Sequence, residues 1–143
     1  MEQYHKIQGP FKRHTDGPDR GKLMHGKWTR DEFGLLADHT WWWTEKVDGM
    51  NIRVGWDGHK VSFGGRTDAA QLPGDLVTVL NGLFTEELME SRFDGTPVMF
   101  VGEGFGAGIQ KLGAAYSVNK SFVLFDVKMG ETGFYLPPEG VAT

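Results

Sequence analysis

Asn51-Ile52-Arg53-Val54-Gly55-Trp56-Asp57-Gly58-His59-Lys60-Val61-Ser62-Phe63 is the stretch on which an antiparallel reading of this chain rests. Two runs rich in β-branched and aromatic residues flank Asp57-Gly58, a dipeptide that predicts a hairpin closed by a type I′ turn. Strand alternation puts Ile52, Val54 and Trp56 on one face and Asn51, Arg53 and Gly55 on the other, so Arg53 points away from the apolar side. Immediately upstream, Lys46-Val47-Asp48-Gly49 joins an amine, a carboxylate and a hinge glycine to this strand.

Lys46 has two readings at this point. In one it is a nucleophile, which requires its proton to be removed and its pKa lowered by desolvation or nearby positive charge. Arg53 is a source of that charge, and Trp41-Trp42-Trp43-Thr44 reads as a strand entering a covered layer that strips water from the amine. Glu45 and Asp48 oppose this, because anions favour the protonated form. In the other reading Lys46 and Asp48 form a salt bridge at a strand end and Gly49 turns the chain.

Farther upstream, residues 9 to 27 carry Gly9-Pro10, Asp16-Gly17-Pro18 and Arg20-Gly21-Lys22, which predict loop with short strands. Thr29-Arg30-Asp31-Glu32 has the form of a capping box, so a short helix is expected to about Asp38 with Phe33, Leu36 and Ala37 buried. Downstream of the hairpin, Leu76, Val79, Leu80, Leu83 and Leu88 recur at helical spacing from Asp75 to about Arg92, a core stripe that Gly82 or Thr85 divides. Pro97-Val98-Met99-Phe100-Val101 and Ser121-Phe122-Val123-Leu124-Phe125-Asp126-Val127 are apolar runs of strand length, expected to be covered on both faces. Strands joined by hairpin and helix signals define an α+β class.

A chain of 143 residues is one domain by size. Its net charge of −4 excludes a strongly basic nucleic-acid footprint overall, yet Lys6, Lys12, Arg13, Arg20, Lys22, Lys27 and Arg30 crowd the start and leave room for a local phosphate-contacting surface. With no cysteine there is no disulfide, thiol chemistry or cysteine zinc site. The histidines His5, His14, His25, His39 and His59 lie too far apart for a helical metal pair. No apolar run reaches membrane-spanning length and no signal-peptide core is present, which predicts a soluble, cytoplasmic protein.

Between the two apolar strands lies Gly102-Glu103-Gly104-Phe105-Gly106-Ala107-Gly108-Ile109-Gln110. It fits G-x-G-x-x-G in neither frame, which argues against Rossmann and kinase loops. Glu103, at the exit of a buried strand, suits a ribose hydroxyl, a metal or simple solvation. Asp126, inside an apolar strand, requires either a ligand or a basic partner to offset its burial.

Thr44-Glu45-Lys46-Val47-Asp48-Gly49-Met50-Asn51-Ile52-Arg53 resembles motif I of the covalent nucleotidyltransferases, which include RNA ligases, DNA ligases and capping enzymes. Val101-Gly102-Glu103-Gly104-Phe105-Gly106 resembles motif III, and Phe122-Val123-Leu124-Phe125-Asp126-Val127 resembles motif IIIa, in the same order and with matching spacing. Gly104 to Gln110, with the Glu45-Lys46 pair, is most similar to ATP-dependent RNA ligases of the double-strand-sealing type, phage and bacterial relatives among them.

That resemblance implies an adenylation domain of mainly antiparallel sheet with flanking helices. Lys46 would attack the α-phosphate of ATP with Mg2+ or Mn2+ present; AMP would pass to an RNA 5′-phosphate, and a 3′-hydroxyl would seal the nick. It further implies Glu45 at the adenine, Arg53 and Glu103 at the ribose, Phe125 against the base, Asp126 supporting the pocket and Arg66 at ribose or RNA, with Asp48 and Gly49 in support. It names no metal ligand. Motifs IV and V would lie beyond Thr143, since Glu139-Gly140-Val141 follows Asp126 too closely to be motif IV; the expectation is an N-terminal portion with limited autonomous activity. A DNA ligase, a capping-type enzyme and a non-catalytic RNA-end-binding fragment are the alternatives.

Overall fold

In this computed structural model residues 1–130 and 133–141 are described, and the chain divides into two compact units, His5–Glu45 and Met1–Tyr4 together with Lys46–Thr143. Both units are built from antiparallel strands and short helices, an α+β architecture.

In His5–Glu45, β1 (Phe11–Arg13) pairs with β2 (Leu23–Trp28), Phe11 opposite Trp28 and Arg13 opposite Leu23, with a break in register between them. The Phe11 and Trp28 rings stack at 4.7 Å and 20°. Helix α1 (Asp31–Leu35) follows, but the expected capping box is not formed: the cap position is Arg30, with no side-chain cap bond. Thr29 is used elsewhere, its hydroxyl donating to the carbonyls of Gly9 at 2.5 Å and Pro10 at 3.1 Å. That ties the end of β2 to the chain ahead of β1 and leaves the first-turn amides of α1 without the threonine. None of α1 is buried, and Leu36 and Ala37 are exposed rather than core. Trp41-Trp42-Trp43-Thr44 is not a strand either; no partner strand pairs with it, and Trp42 and Trp43 are 95% and 91% exposed.

The larger unit is a four-stranded antiparallel sheet in the order β4-β3-β5-β6. The predicted hairpin is β3 (Met50–Trp56) and β4 (Val61–Gly64), with Val54 opposite Phe63 and Trp56 opposite Val61. Its turn is not type I′, which needs two consecutive positive φ values; Gly58 alone among Asp57–Lys60 has one, +100°. Asp57 Oδ1 instead accepts the amides of His59 and Lys60 at 2.9 and 2.7 Å, fixing the turn with a side chain.

The predicted helical stretch is two helices, α2 (Gly74–Leu83) and α3 (Glu86–Phe93), divided at Thr85, whose hydroxyl accepts the Leu88 amide at 3.2 Å. The 3.6-residue period fails at the end of α2 and again across the break. Leu76 and Leu80 are buried as expected, but Leu83 and Leu88 are 48% and 43% exposed, and Met89 fills the core from α3. Strand β5 (Val98–Phe105) runs through the apolar segment into the glycines. The four-residue helix α4 (Gly113–Tyr116) leads to β6 (Ser121–Met129), and α5 (Pro138–Val141) makes Glu139-Gly140-Val141 helical.

Ile52, Val54, Trp56, Leu76, Leu80, Met89, Val98, Phe100, Ile109 and Val127 pack as one core between the sheet and α2–α3. Burial of each such side chain contributes on the order of 1.5–3 kcal/mol. Strand β6 contributes through a bulge: Val101 faces Asp126 but Gly102 faces Leu124, so Phe125 is unpaired. The extra residue resets the alternation, bringing Phe122 and Leu124 to the same core as Val127 and Met129. Because β6 lies at the sheet edge, Val123 and Phe125 are each 38% exposed, and the expectation of cover on both faces fails for this strand.

The sheet face away from that core mixes polar Asn51, Arg53, Glu103 and Asp126 with apolar Met99 and Val101, and is partly covered by Met1–Tyr4. Arg53 is fully buried there, the only buried polar or charged residue among those described. Its Nε donates to Gly65 O at 2.6 Å, Nη1 to Met1 O at 3.0 Å and Glu2 O at 2.7 Å, and Nη2 to Asp68 at 2.8 Å. Lys128 pairs with Glu2, and the Tyr4 hydroxyl donates to Asp126. An open cavity of about 430 Å³ lies at one end of this face, beside Gly55, Met99 and Lys128.

Candidate functional site

Seven consecutive residue pairs join β3 to β5, with Asn51 opposite Glu103 and Arg53 opposite Val101; β6 continues the two rows with Val123 and Asp126. Alternation therefore sets Asn51, Arg53, Glu103 and Asp126 on the non-core face, the two rows about 7 Å apart at ~3.3 Å per residue. Arg66 follows the end of β4, exposed and without an ion pair among the described residues.

Gly49 fastens the lysine-bearing segment to this face. A Cβ there would lie 2.3 Å from Gly104 O and 2.8 Å from the Glu103 side chain, so only glycine permits the approach. The Gly49 carbonyl accepts Gln110 Nε2 at 3.1 Å, and its amide lies close enough to Glu103 to draw that carboxyl's pKa down. Motif-like segments more than fifty residues apart are thus joined at one glycine. Burial pushes the Glu103 carboxyl above the ordinary range; the Lys46 charge and the Gly49 amide pull it back, and Asp48 pushes it up again. Lys46, Asp48, Gly49 and Glu103 therefore form one electrostatic group.

The expected activation of Lys46 is corrected on two counts. Its side chain is exposed rather than enclosed by a tryptophan strand. Arg53 is not a free cation beside it, because its guanidinium is engaged by three carbonyls and Asp68. Glu45 closes the smaller unit while Lys46 belongs to the larger one. Phe125 stands at the β6 bulge with its ring edge-to-face to Tyr4 at 5.7 Å. Asp126 accepts from Tyr4, whose hydroxyl proton is held more tightly by burial and by that bond, and it belongs to none of the ion pairs among the described residues.

Three features of the site lie outside the sequence reading of single residues. Gln110 grips Gly49 from a left-handed conformation, φ +56°, a sign only the glycine-rich context hints at. Lys120 donates to Ala107 O and pairs with Asp75 at 3.2 Å, tying the glycine segment to α2. Asn51 Oδ1 is buried and has no hydrogen-bond partner among the described residues. An orphaned acceptor beside a carboxylate calls for a donor such as a hydroxyl or amino group.

Among the described residues no three His, Cys, Asp or Glu side chains cluster closely enough to hold a metal alone. Magnesium needs only one or two carboxylates when phosphates and water complete its shell, and Glu103, whose charge couples to Asp48, is a carboxylate of that kind. No helix among the described residues is long and apolar enough to cross a membrane. Compared with protein-family models the chain matches none, and no curated protein matches it.

Proposed function

We propose that this chain is the nucleotide-binding part of an ATP-dependent RNA ligase and that Lys46 is its nucleophile. The supporting observation is the junction at Gly49, where the lysine segment meets Glu103 on the non-core face of the sheet. Glu103 and the orphaned Asn51 Oδ1 are acceptors suited to ribose hydroxyls or an amino group, while Lys46 is the cation near them suited to phosphate.

In the first step the unprotonated Lys46 amine forms an N–P bond to the α-phosphorus of ATP, and the P–O bond to pyrophosphate breaks. The amine proton leaves to solvent or a carboxylate, and Glu103 is one whose charge couples to the lysine. AMP then passes to an RNA 5′-phosphate, and a strand 3′-hydroxyl displaces it as the phosphodiester forms. A divalent cation neutralises phosphate charge when bound. Met1–Tyr4 lies over Arg53 and Asp126, so the nucleoside is assigned to the Asn51–Glu103 end of the face.

Incubation with α-labelled ATP or GTP and magnesium tests the reading. The expected result is an acid-labile adduct from ATP that Lys46→Ala abolishes. Label from GTP alone would indicate a capping-type enzyme instead.

A further inference from the structure

An aromatic groove of about 410 Å³ runs through the His5–Glu45 unit, with Phe11 and Trp28 stacked in its wall and Trp41, Trp42 and Trp43 along it. The Trp41 indole is anchored, donating to Leu36 O at 2.9 Å. Trp42 and Trp43 are almost wholly exposed. Consecutive flat rings offered to water are unusual for a surface without a partner.

Charge narrows what that partner is. Residues 5 to 30 hold seven basic and two acidic side chains, residues 31 to 45 none and four, and the rest of the chain eight and thirteen. Within this unit only Lys22 and Arg30 are in ion pairs, with Asp19 and Glu32; Lys6, Lys12, Arg20 and Lys27 are in none among the described residues. Basic side chains on the same unit as exposed aromatic faces suit a polyanion that also carries flat rings: unpaired nucleotides stack on the indoles while lysines and arginines meet the phosphates. A duplex keeps its bases stacked on one another and offers the rings nothing.

We propose that the groove is a binding site for single-stranded RNA, with Trp42 and Trp43 as the stacking surface. The choice of RNA over DNA rests on the ligase reading; the stacking of unpaired bases does not.

Binding of a fluorescently labelled RNA dodecamer to the full chain, followed by anisotropy, tests the site. The double variant Trp42→Ala/Trp43→Ala should bind about tenfold or more weakly, the loss of at least one stacked base. Trp42→Phe/Trp43→Phe should retain most of the affinity, and unchanged circular dichroism of both variants would show an intact fold. Lys12→Gln should lower the salt dependence by about one phosphate contact. Equal binding by the double alanine variant, tighter binding of duplex RNA, a preference for single-stranded DNA of the same sequence, or binding of anionic phospholipid vesicles in place of RNA would each overturn the proposal. If tryptophan-dependent binding holds while the parent chain forms no adduct with ATP, the ligase reading fails and the stacking site stands; an adduct without tryptophan-dependent binding gives the reverse.

Discussion

In the Lys46–Thr143 unit all seven residues of β3 pair with β5, and the apolar side chains beneath them are shut away from water. In His5–Glu45 the strand β1 has three residues, its register with β2 is broken, and none of the fully buried hydrophobic side chains belongs to it. One unit is held by a continuous core on one sheet face and a buried arginine making four hydrogen bonds on the other. The second is held by a ring stack and by local bonds such as those of Thr29. Local opening should therefore cost far less in the small unit, a property suited to a surface that meets a flexible strand.

The largest effect that would break this comparison is at Arg53. Arg53→Ala leaves three carbonyls without their donor, at about 1–3 kcal/mol for each that stays shut away from water, so a loss of several kcal/mol is expected in urea denaturation of the core unit. A loss of under ~1 kcal/mol, the level of an exposed charge pair, would mean that the second face contributes little. Next, Leu80→Ala should cost ~2–5 kcal/mol and Leu83→Ala only a small fraction of that, since the first is fully buried and the second half exposed. Gly49→Ala should cost ~1–3 kcal/mol by overpacking against Gly104 O and should also remove adduct formation, because the clash is with backbone at the lysine segment. In the small unit, Trp28→Ala forfeits the stack on Phe11, ~0.5–1.5 kcal/mol beyond its area, and hydrogen exchange should quicken in β1–β2 while β3–β5 stays protected.

The smallest expected effect is a pH dependence. Burial raises the Glu103 pKa above its ordinary value, so the folded state takes up this proton more readily than the unfolded chain. The contribution to stability is therefore full below the unfolded value and is lost as pH rises through the folded one. Glu103→Gln, which mimics the protonated form, should melt slightly above the parent near about pH 7 and converge with it near about pH 4. Asp68 and Asp75 run oppositely, their pKa values lowered by Arg53 and Lys120, but they are common to both proteins and cancel in the difference.

Much of the core unit was legible because its signals are local. Alternation in Asn51–Trp56, the apolar runs of β5 and β6, and Thr85 as a helix breaker all act within a few residues. What could not be read depends on distant partners. The burial of Arg53 needs Met1, Glu2, Gly65 and Asp68; the fate of the Thr29 hydroxyl needs Gly9 and Pro10; the bulge at Phe125 needs the register with β5. Three tryptophans in a row have the composition of a strand but find no strand to pair with, so propensity alone misassigned them. At the site, the proximity of Glu103 to Lys46 and Asp48, the Gln110 grip and the orphaned Asn51 acceptor all required coordinates.

Peptide mapping of the chain after reaction with α-labelled ATP and a divalent cation bears most directly on the central claim. AMP attached to Lys46, absent from both Lys46→Ala and Lys46→Arg, is the predicted result; no adduct, or label that persists in those variants, would contradict it.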